Sequence, residues 1–406
     1  MKVLIISATD KRGGAGIAAY RLCSALRDCG VDAQMLVQEK SSDDDWVILH
    51  KTFLGRLGVL LRKVLDRLAW WLLHHGKGEL LFSTSWVPSG RLVKQINKLK
   101  PDIVHLHWVQ GGMLRIEDIA KIQAPLVWTA HDMWVCTGGS HYCDTCHLPN
   151  TTHESFTEKW NIKRKKKLYD YKKDITIIAL SNWLAGICKE SALCANMNIA
   201  TLPNVVDTNI FAPLDKKGAR QQLQLPADKR LVVFGAMNAT SDPRKGYREL
   251  VAALNLLKSD NVELIVFGAN KGEDISNYKT HYIGHISSVE KMAQLYNVAD
   301  VVVVPSMQEA FGLVAVEAMA CKTPVVAFGT TGLLDIVDHK KNGYLAKPFS
   351  AQDLANGIDW VLKNNQDGKL GKCAREKVIQ HFSADAVVPR YIDLYKRIIT
   401  KKNSDK

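Results

Sequence analysis

Short apolar runs rich in β-branched residues alternate along the chain with segments that repeat at helical spacing. Such runs predict strands that are buried on both faces. In the first half we predict strands at Lys2–Ile6, Ala33–Val37, Ile103–His107, Leu126–Ala130 and Ile175–Leu180. In the second half we predict strands at Leu231–Phe234, Val262–Phe267, Val301–Pro305 and Pro324–Ala327. The helical patterns between them include Gly16–Arg27, Arg248–Leu257 and Leu313–Cys321. The alternation predicts an α/β protein with parallel sheets covered by helices.

The alternating pattern breaks near Thr201–Asn209, where Pro203 and Asn204 interrupt it. Because 406 residues exceed one ordinary core, we predict two Rossmann-like domains, over residues 1–200 and 201–384. Their parallel sheets are expected to face each other across a cleft, with ligands at the carboxyl ends of the strands. The final segment, 385–406, is predicted to be an amphipathic helix that packs locally or returns to the first domain.

The composition is that of a soluble globular protein, with 47% hydrophobic and 23% charged residues. A net charge of +13 favours anionic partners such as phosphates, nucleotides, acidic lipid or nucleic acid. Nucleic acid is not expected, since the sequence carries no zinc-finger, helix-turn-helix or aromatic-basic ribonucleoprotein signature. The first apolar run is too short for a signal peptide and no long apolar stretch follows, so we expect a cytoplasmic protein. We expect its nine cysteines to be reduced thiols.

The strongest candidate site follows the run Val301–Pro305. The next loop carries Glu309, and the predicted helix that begins near Gly312 carries Glu317. Free N–H groups at a helix start favour an anion, and glycine lets a phosphate approach the backbone. Two carboxylates at this spacing suit a ligand with a diphosphate between two sets of sugar hydroxyls. The alternative is that Glu309 is a solvated loop residue and that Glu317 only interacts favourably with the helix dipole.

This segment resembles the Glu-x7-Glu motif of the family 4 retaining glycosyltransferases, which have the GT-B fold and include enzymes of bacterial capsule, exopolysaccharide and O-antigen synthesis. Further similarities to the family lie at Leu202–Phe211, Pro243–Gly246, Gly332–Val337 and Asn342–Leu345. The resemblance implies that the first domain binds the acceptor and the second a nucleotide-diphosphate sugar, without a metal or other cofactor. It assigns Glu309 to the transferred sugar and Glu317 to the ribose. The backbone at Ala310, Phe311, Gly312 and Leu313 would hold sugar hydroxyls and the β-phosphate.

Arg244 and Lys245 follow the predicted strand Leu231–Phe234 and match the phosphate-binding Lys-Gly element of the family. Cations placed there would stabilise the negative charge of a departing diphosphate. Alone, they would be interpreted as ordinary surface charges. The family commonly has an arginine where this chain has Ala236, so Arg244 replaces it or Lys245 acts by itself.

The loop after the first predicted strand is rich in small residues. Gly14, Gly16 and Ala19 fit a dinucleotide-binding fingerprint, with Glu39 at about the expected distance. This predicts, as an alternative, a nicotinamide- or flavin-dependent oxidoreductase. The family resemblance instead places Gly14 and Gly16 beside the acceptor and the donor phosphates. A third hypothesis is a non-catalytic nucleotide-sugar-binding protein on the same scaffold.

Three histidines end two predicted strands of the first half. His105 and His107 lie on one strand, and His131 follows the next. In the family, a histidine in the place of His131 lies near the reacting sugar, which makes His131 the catalytic candidate. The alternative is that these histidines are hydrogen-bonded structural residues. Cys143, Cys146 and His147, with Cys136 and His141, have some metal-ligand spacing, but reduced loop cysteines are the favoured interpretation.

Gly55–His75 is predicted to be a basic amphipathic helix. Its apolar side chains fall on one side, whereas Arg56, Arg62, Lys63 and Arg67 fall largely on the other. This pattern is typical of a helix that lies in the interface of an anionic membrane, and Lys163–Lys167 adds a second basic cluster. The alternative is that the apolar side packs on the helix's own domain, and the pattern favours neither interpretation over the other. Membrane contact would make a lipid-linked oligosaccharide a plausible acceptor and the protein peripheral on the inner face of the plasma membrane.

Overall fold

The computed structural model describes residues 1–51, 55–74, 81–142, 155–259, 261–273 and 278–404. The chain divides into two compact units. Unit 1 consists of Met1–Val205 together with Val388–Lys406, and unit 2 consists of Val206–Val387. Among the described helices, none combines the length and apolarity that crossing a membrane requires.

Unit 1 contains a parallel sheet of seven described strands. The strands are β1 (Lys2–Thr9), β2 (Asp32–Glu39), β3 (Val47–Leu49), β4 (Ile103–Leu106), β5 (Leu126–Ala130), β6 (Ile175–Ala179) and β7 (Asn198–Thr201). The helices are α1 (Gly13–Asp28), α2 (Gly55–His74), α3 (Gly90–Lys98), α4 (Ile116–Ile119), α5 (Phe156–Tyr171) and α6 (Asn182–Glu190). The strand order is β3-β2-β1-β4-β5-β6-β7, so the order reverses between β1 and β4.

Unit 2 repeats the same topology with six described strands. They are β8 (Arg230–Gly235), β9 (Val262–Phe267), β10 (Thr280–Gly284), β11 (Val301–Val304), β12 (Val325–Phe328) and β13 (Gly343–Ala346), in the order β10-β9-β8-β11-β12-β13. The helices are α7 (Lys216–Gln222), α8 (Tyr247–Leu256), α9 (Val289–Val298), α10 (Leu313–Ala320), α11 (Leu333–Ile336), α12 (Ala351–Asn364) and α13 (Lys369–His381). The order reverses between β8 and β11.

The last helix, α14 (Ala384–Ser404), begins in unit 2 and continues from Val388 in unit 1. Within unit 1, the hydroxyl of Tyr395 lies 2.7 Å from Nδ1 of His105, and Nζ of Lys402 donates to the carbonyl of Gln123 at 2.8 Å. Tyr391 and Tyr395 are almost completely buried. The C-terminal helix is therefore part of the core of unit 1.

The predicted α/β class with two Rossmann-like parallel sheets is confirmed, and all nine predicted strands are present to within a few residues. The prediction that the first helix begins at Gly16 is wrong, because α1 begins at Gly13. Strands β3, β7, β10 and β13 have no counterpart among the nine predicted strands. They are the edge strands of the two sheets, and most of their residues are half-buried or exposed, so they do not show the fully buried pattern of the inner strands.

Candidate functional site

A lysine and a glutamate meet where the strand order of unit 2 reverses. The loop after β8 contains a 3-10 turn at Pro243–Lys245, and the loop after β11 contains Glu309. Ligands of open parallel sheets bind at such a reversal, outside the carboxyl ends of the strands. There, Nζ of Lys245 donates a hydrogen bond to Oε1 of Glu309 at 2.6 Å. The Lys245 and Glu309 side chains are 22% and 17% exposed, so a ligand can reach both.

The carboxylate and the backbone of Glu309 are both fixed by neighbours. The Ser306 hydroxyl donates to Oε1 of Glu309 at 3.0 Å. The Glu309 N–H donates to Oγ1 of Thr331 at 3.1 Å, and its carbonyl accepts from the N–H of Gly332 at 2.9 Å. Neither Ser306 nor Thr331 is predicted from the sequence. Ser306 could have been found because it directly follows the end of a buried strand, whereas no sequence signal points to Thr331.

A glycine brings the two loops into contact. Gly246 has a φ of 72°, and a Cβ there would lie 1.8 Å from the carbonyl oxygen of Pro305. The N–H of Met307 also donates to the carbonyl of Arg244 at 2.8 Å. Only glycine allows this approach, because the Cβ of any other residue would collide with the backbone carbonyl of Pro305. Gly246 is therefore required for the position of Lys245 beside Glu309.

The start of α10 presents backbone N–H groups of the kind that bind anions. Gly312 has a φ of 110° and precedes the helix, and its carbonyl accepts the first helical hydrogen bonds from Ala315 and Val316. The N–H groups of Leu313 and Val314 come before those bonds, in the position from which helix starts donate to anions. Ala310 and Phe311 are buried under this turn. The α10 start directly follows the Glu309 loop.

The other two predicted donor-binding side chains of unit 2 are held by neighbours. Glu317 is 7% exposed, and its Oε2 accepts a hydrogen bond from the hydroxyl of Tyr296 at 3.0 Å. Nη2 of Arg244 donates to Oδ2 of Asp242 at 2.6 Å. The charge of Arg244 is thus partly balanced within its own loop, whereas the Lys245 charge is directed at Glu309.

The glycine loop of unit 1 lies at the corresponding reversal, after β1. Gly14 and Gly16 fall within the first turn of α1. A Cβ on Gly16 would lie 2.4 Å from Oγ1 of Thr9, so Gly16 permits the close packing of α1 on the end of β1. The neighbouring Asp10 carboxylate accepts backbone N–H bonds from Ser41 and Ser42. Burial alone would raise the pKa of Asp10, but these bonds hold it below its usual value.

The three histidines of unit 1 form a chain of contacts. Nε2 of His105 lies 2.7 Å from the Thr129 hydroxyl, and the His105 and His107 rings are in contact, with centroids 4.4 Å apart and planes tilted by 43°. Nδ1 of His107 lies 2.8 Å from Nε2 of His131. Burial lowers the pKa of His131 to about 4 and that of His105 to about 3, and it holds the pKa of His107 well below its usual value. All three side chains are therefore neutral at pH 7.

A second polar chain fixes the segment that follows His131. Oδ2 of Asp132 lies 2.6 Å from Nδ1 of His141, and Nε2 of His141 lies 2.9 Å from the Ser83 hydroxyl. All three side chains are buried. The Cys136 thiol donates to the carbonyl of Met133.

The remaining residues of the alternative metal set, Cys143, Cys146 and His147, lie outside the described residues. Within the described part of the chain, no group of three or more potential ligands could hold a metal ion.

Comparison with known protein families matches nearly the whole chain. Residues 12–210 match a model described as glycosyltransferase family 4, and residues 215–377 match one described as glycosyl transferases group 1. The chain is 27% identical to a D-inositol 3-phosphate glycosyltransferase of Arthrobacter, over 95% of this chain and 92% of that protein. It is 29% identical to an uncharacterized glycosyltransferase of Methanocaldococcus jannaschii, over 45% of this chain and only 48% of that protein.

Solved structures with this architecture cover nearly the entire chain. Sucrose-phosphate synthase from Thermosynechococcus elongatus matches 99% of this chain and 100% of its own, with a TM-score of 0.69 and 22% identity. The Anabaena protein HepE in complex with UDP and glucose matches 98% of this chain and 99% of its own, with a TM-score of 0.67 and 19% identity. At these identities the matches establish the fold.

Proposed function

Since the chain belongs to the group 1 glycosyltransferases of the GT-B type, we propose that it transfers a sugar from a nucleotide-diphosphate donor with retention of anomeric configuration. The acceptor is a glycan or a lipid-linked oligosaccharide, and the pathway is bacterial surface polysaccharide synthesis. The observation that carries the proposal is the Lys245–Glu309 pair beside the start of α10.

Donor recognition in this proposal uses unit 2. The N–H groups at the start of α10 bind the β-phosphate, because helix starts carry unsatisfied donors and a positive partial charge. Glu309 binds hydroxyls of the transferred sugar, and Glu317 binds the ribose. The HepE structure that shares this fold contains UDP and glucose, which supports a nucleotide sugar as the ligand.

Catalysis depends on stabilising the departing diphosphate. As the glycosidic bond breaks, negative charge develops on the β-phosphate, and Lys245 is placed to balance it, assisted by Arg244. Cations and helix-start N–H groups supply this stabilisation without a metal or other cofactor. The acceptor hydroxyl attacks from the face that the diphosphate leaves, and the departing phosphate takes its proton, so the configuration is retained.

Unit 1 contributes His131 and the Gly14–Gly16 turn. Because His131 is neutral at pH 7, it can donate one hydrogen bond to a sugar hydroxyl without carrying a charge. The family resemblance assigns Gly14 and Gly16 to the acceptor and the donor phosphates. A surface-polysaccharide role is supported by the fold shared with WaaG, a glycosyltransferase involved in lipopolysaccharide biosynthesis (TM-score 0.62, 15% identity). Such acceptors are assembled on the cytoplasmic side of the membrane, where we place the protein.

The experiment has two steps. A thermal-shift screen of UDP, GDP and ADP sugars identifies the donor, because a ligand of the native state raises its Tm. Donor turnover is then measured for the wild type, Glu309→Gln and the exposed control Glu376→Gln. We expect Glu309→Gln to lose about 100-fold or more in kcat and the control to lose nothing. Equal turnover in Glu309→Gln and the wild type would refute the assignment.

The two alternatives give different results in the same assays. A nicotinamide or flavin cofactor that changes fluorescence on binding would support an oxidoreductase. However, Glu39, the acid that such a cofactor would need for its ribose, is already ion-paired with Lys63. Tight donor binding with no turnover for any acceptor would support a non-catalytic binding protein. The family membership favours transfer over both.

A further inference from the structure

The apolar face of α2 points into solvent. Among the described side chains of α2, seven large apolar ones are 40–62% exposed, namely Leu57, Leu60, Leu61, Val64, Leu65, Leu68 and Trp71, whereas Val59 is buried. Their spacing places them on one side of the helix. A surface helix of a globular domain normally turns this side toward the core. In α2 the arrangement is reversed, so the alternative of an apolar stripe packed on its own domain is wrong for these residues.

The face of α2 that packs on unit 1 is polar. Nε of Arg62 donates to the carbonyl of Gly112 at 2.7 Å, and Nη1 donates to the carbonyl of Pro88 at 2.7 Å. Asp66 is 4% exposed and accepts a hydrogen bond from the Thr84 hydroxyl at 2.8 Å. Buried polar groups require such partners, so these bonds fix which side of the helix faces inward.

The backbone of unit 1 also approaches the backbone of α2 closely. Gly112 has a φ of 75°, and a Cβ there would lie 2.5 Å from the carbonyl oxygen of Arg62. On the other side of this contact, Nε1 of Trp86 donates to the carbonyl of Leu65 at 3.1 Å. These contacts hold the polar side of α2 against unit 1 and leave its apolar side exposed.

Two arginines lie at one border of the exposed face. Arg56 and Arg67 are exposed and eleven positions apart, which is about three helical turns, so they share an edge of the helix. Of the other two basic residues predicted opposite the apolar side, Arg62 faces unit 1, where it binds carbonyl groups, and the partly exposed Lys63 pairs with Glu39.

The second predicted basic cluster, Lys163–Lys167, faces outward only in part, because Lys163, Lys166 and Lys167 are exposed and the other two residues are buried. Lys165 is buried and donates to the carbonyl of Thr137, and Arg164 pairs with Glu117.

We propose that α2 docks the protein on an anionic membrane surface. The leucine side chains enter the boundary between headgroups and acyl chains, Trp71 lies at headgroup level, and Arg56 and Arg67 contact lipid phosphates. The net charge of +13 favours the same surface. This inference deepens the proposed function, since it brings the enzyme to a lipid-linked acceptor. The docking itself does not depend on catalysis.

The test uses the full chain and vesicles of equimolar phosphatidylcholine and phosphatidylglycerol, with pure phosphatidylcholine vesicles in parallel. Co-sedimentation is measured for the wild type, Leu61→Gln/Leu68→Gln and Arg56→Glu/Arg67→Glu. The matched controls are Leu214→Gln/Leu256→Gln and Lys363→Glu/Lys372→Glu, which change exposed side chains of unit 2. Circular dichroism and the Tm show whether each variant is folded.

We expect the wild type and both controls to bind the anionic vesicles, and each α2 variant to bind about tenfold or more weakly. Equal binding by the α2 variants, or no binding by the wild type, would overturn the proposal. So would a self-association in solution that disappears in Leu61→Gln/Leu68→Gln without any vesicle binding, because the partner would then be a second copy.

Donor turnover distinguishes failure of the docking proposal from failure of the proposed function. If vesicle binding is absent but turnover is intact, only the docking surface is rejected, and docking without any turnover would reject only the transferase assignment.

Discussion

Nζ of Lys245 lies 2.6 Å from Oε1 of Glu309, although 64 positions separate the two residues in the sequence. The contact joins the loops after β8 and β11, the two strands at which the sheet order of unit 2 reverses. In the absence of a donor, the lysine charge is balanced by the carboxylate. A bound diphosphate would offer that ammonium a second, more highly charged partner.

Replacement of Lys245 should therefore lower turnover more than it lowers stability. For Lys245→Ala we expect a loss of about 100-fold in kcat with the identified nucleotide sugar, which is the usual cost of removing one preorganised donor from a developing charge. Steady-state kinetics measures this loss. Lys279→Ala, which removes a 68% exposed lysine side chain just before β10, should leave kcat unchanged. Unchanged turnover in Lys245→Ala would remove the lysine from the mechanism.

A substitution at Gly246 tests whether the loop contact is needed. Gly246 and Gly368 have nearly the same backbone conformation, with φ of 72° and 71°. A Cβ on Gly246 would collide with Pro305, whereas a Cβ on Gly368 would have no atom within 4 Å. Gly368→Ala should cost about 1 kcal/mol from backbone strain alone. Gly246→Ala should lower the Tm further and abolish the thermal shift by donor. Similar Tm values for both variants would contradict the close approach.

The buried histidines predict a loss of stability in mild acid. Burial lowers the pKa of His105 from 6.5 to about 3 and that of His131 to about 4. Between the folded and unfolded pKa values, these histidines bind protons in the unfolded chain but not in the folded protein. The free energy of unfolding therefore falls as the pH drops below about 6.5 toward the folded pKa values. Each such histidine contributes a slope of at most about 1.4 kcal/mol per pH unit.

Thermal denaturation across this pH range measures the slope. His105→Gln should be less stable than the wild type at neutral pH, because it loses the bonds to Tyr395 and Thr129. Its Tm should nevertheless fall less steeply on acidification. An identical slope in the variant and the wild type would show that His105 does not resist protonation in the folded state.

Two arginines of α2 should differ in their effect on stability. Arg62→Ala leaves the carbonyl groups of Gly112 and Pro88 without their donor, so we expect a loss of about 1–3 kcal/mol and a lower Tm. Arg56→Ala removes an exposed side chain and should change the Tm little. Differential scanning fluorimetry compares the two. Equal Tm values would argue against the inward position of Arg62.

The sheets could be predicted from the sequence because their inner strands are buried on both faces. Val301–Val304 is completely apolar and buried, and so is most of β9. The edge strands β7 and β10 could not be found in the same way, since half-exposed strands carry mixed residues. The orientation of α2 was also beyond the sequence. Its amphipathic pattern identifies two faces but not which of them packs on unit 1. That is set by the hydrogen bonds from Arg62 to the carbonyl groups of Gly112 and Pro88, which the sequence does not reveal.

The site was partly predictable for a similar reason. Glu309 and Lys245 each follow a predicted strand, and the resemblance to a known motif identified both. Thr331 and Tyr296 could not be identified, because they reach the two glutamates from distant segments and carry no motif of their own. The hydrogen-bonded chain from Asp132 through His141 to Ser83 was missed because it joins a loop to a residue 58 positions away.

The most direct test of the account is a crystal structure of the protein with its nucleoside diphosphate bound. We expect the β-phosphate within hydrogen-bonding distance of the N–H groups at Gly312–Val314, with Nζ of Lys245 on a phosphate oxygen and Glu317 on the ribose. A ligand bound elsewhere, with the Lys245–Glu309 pair unchanged and no contact to the start of α10, would contradict it.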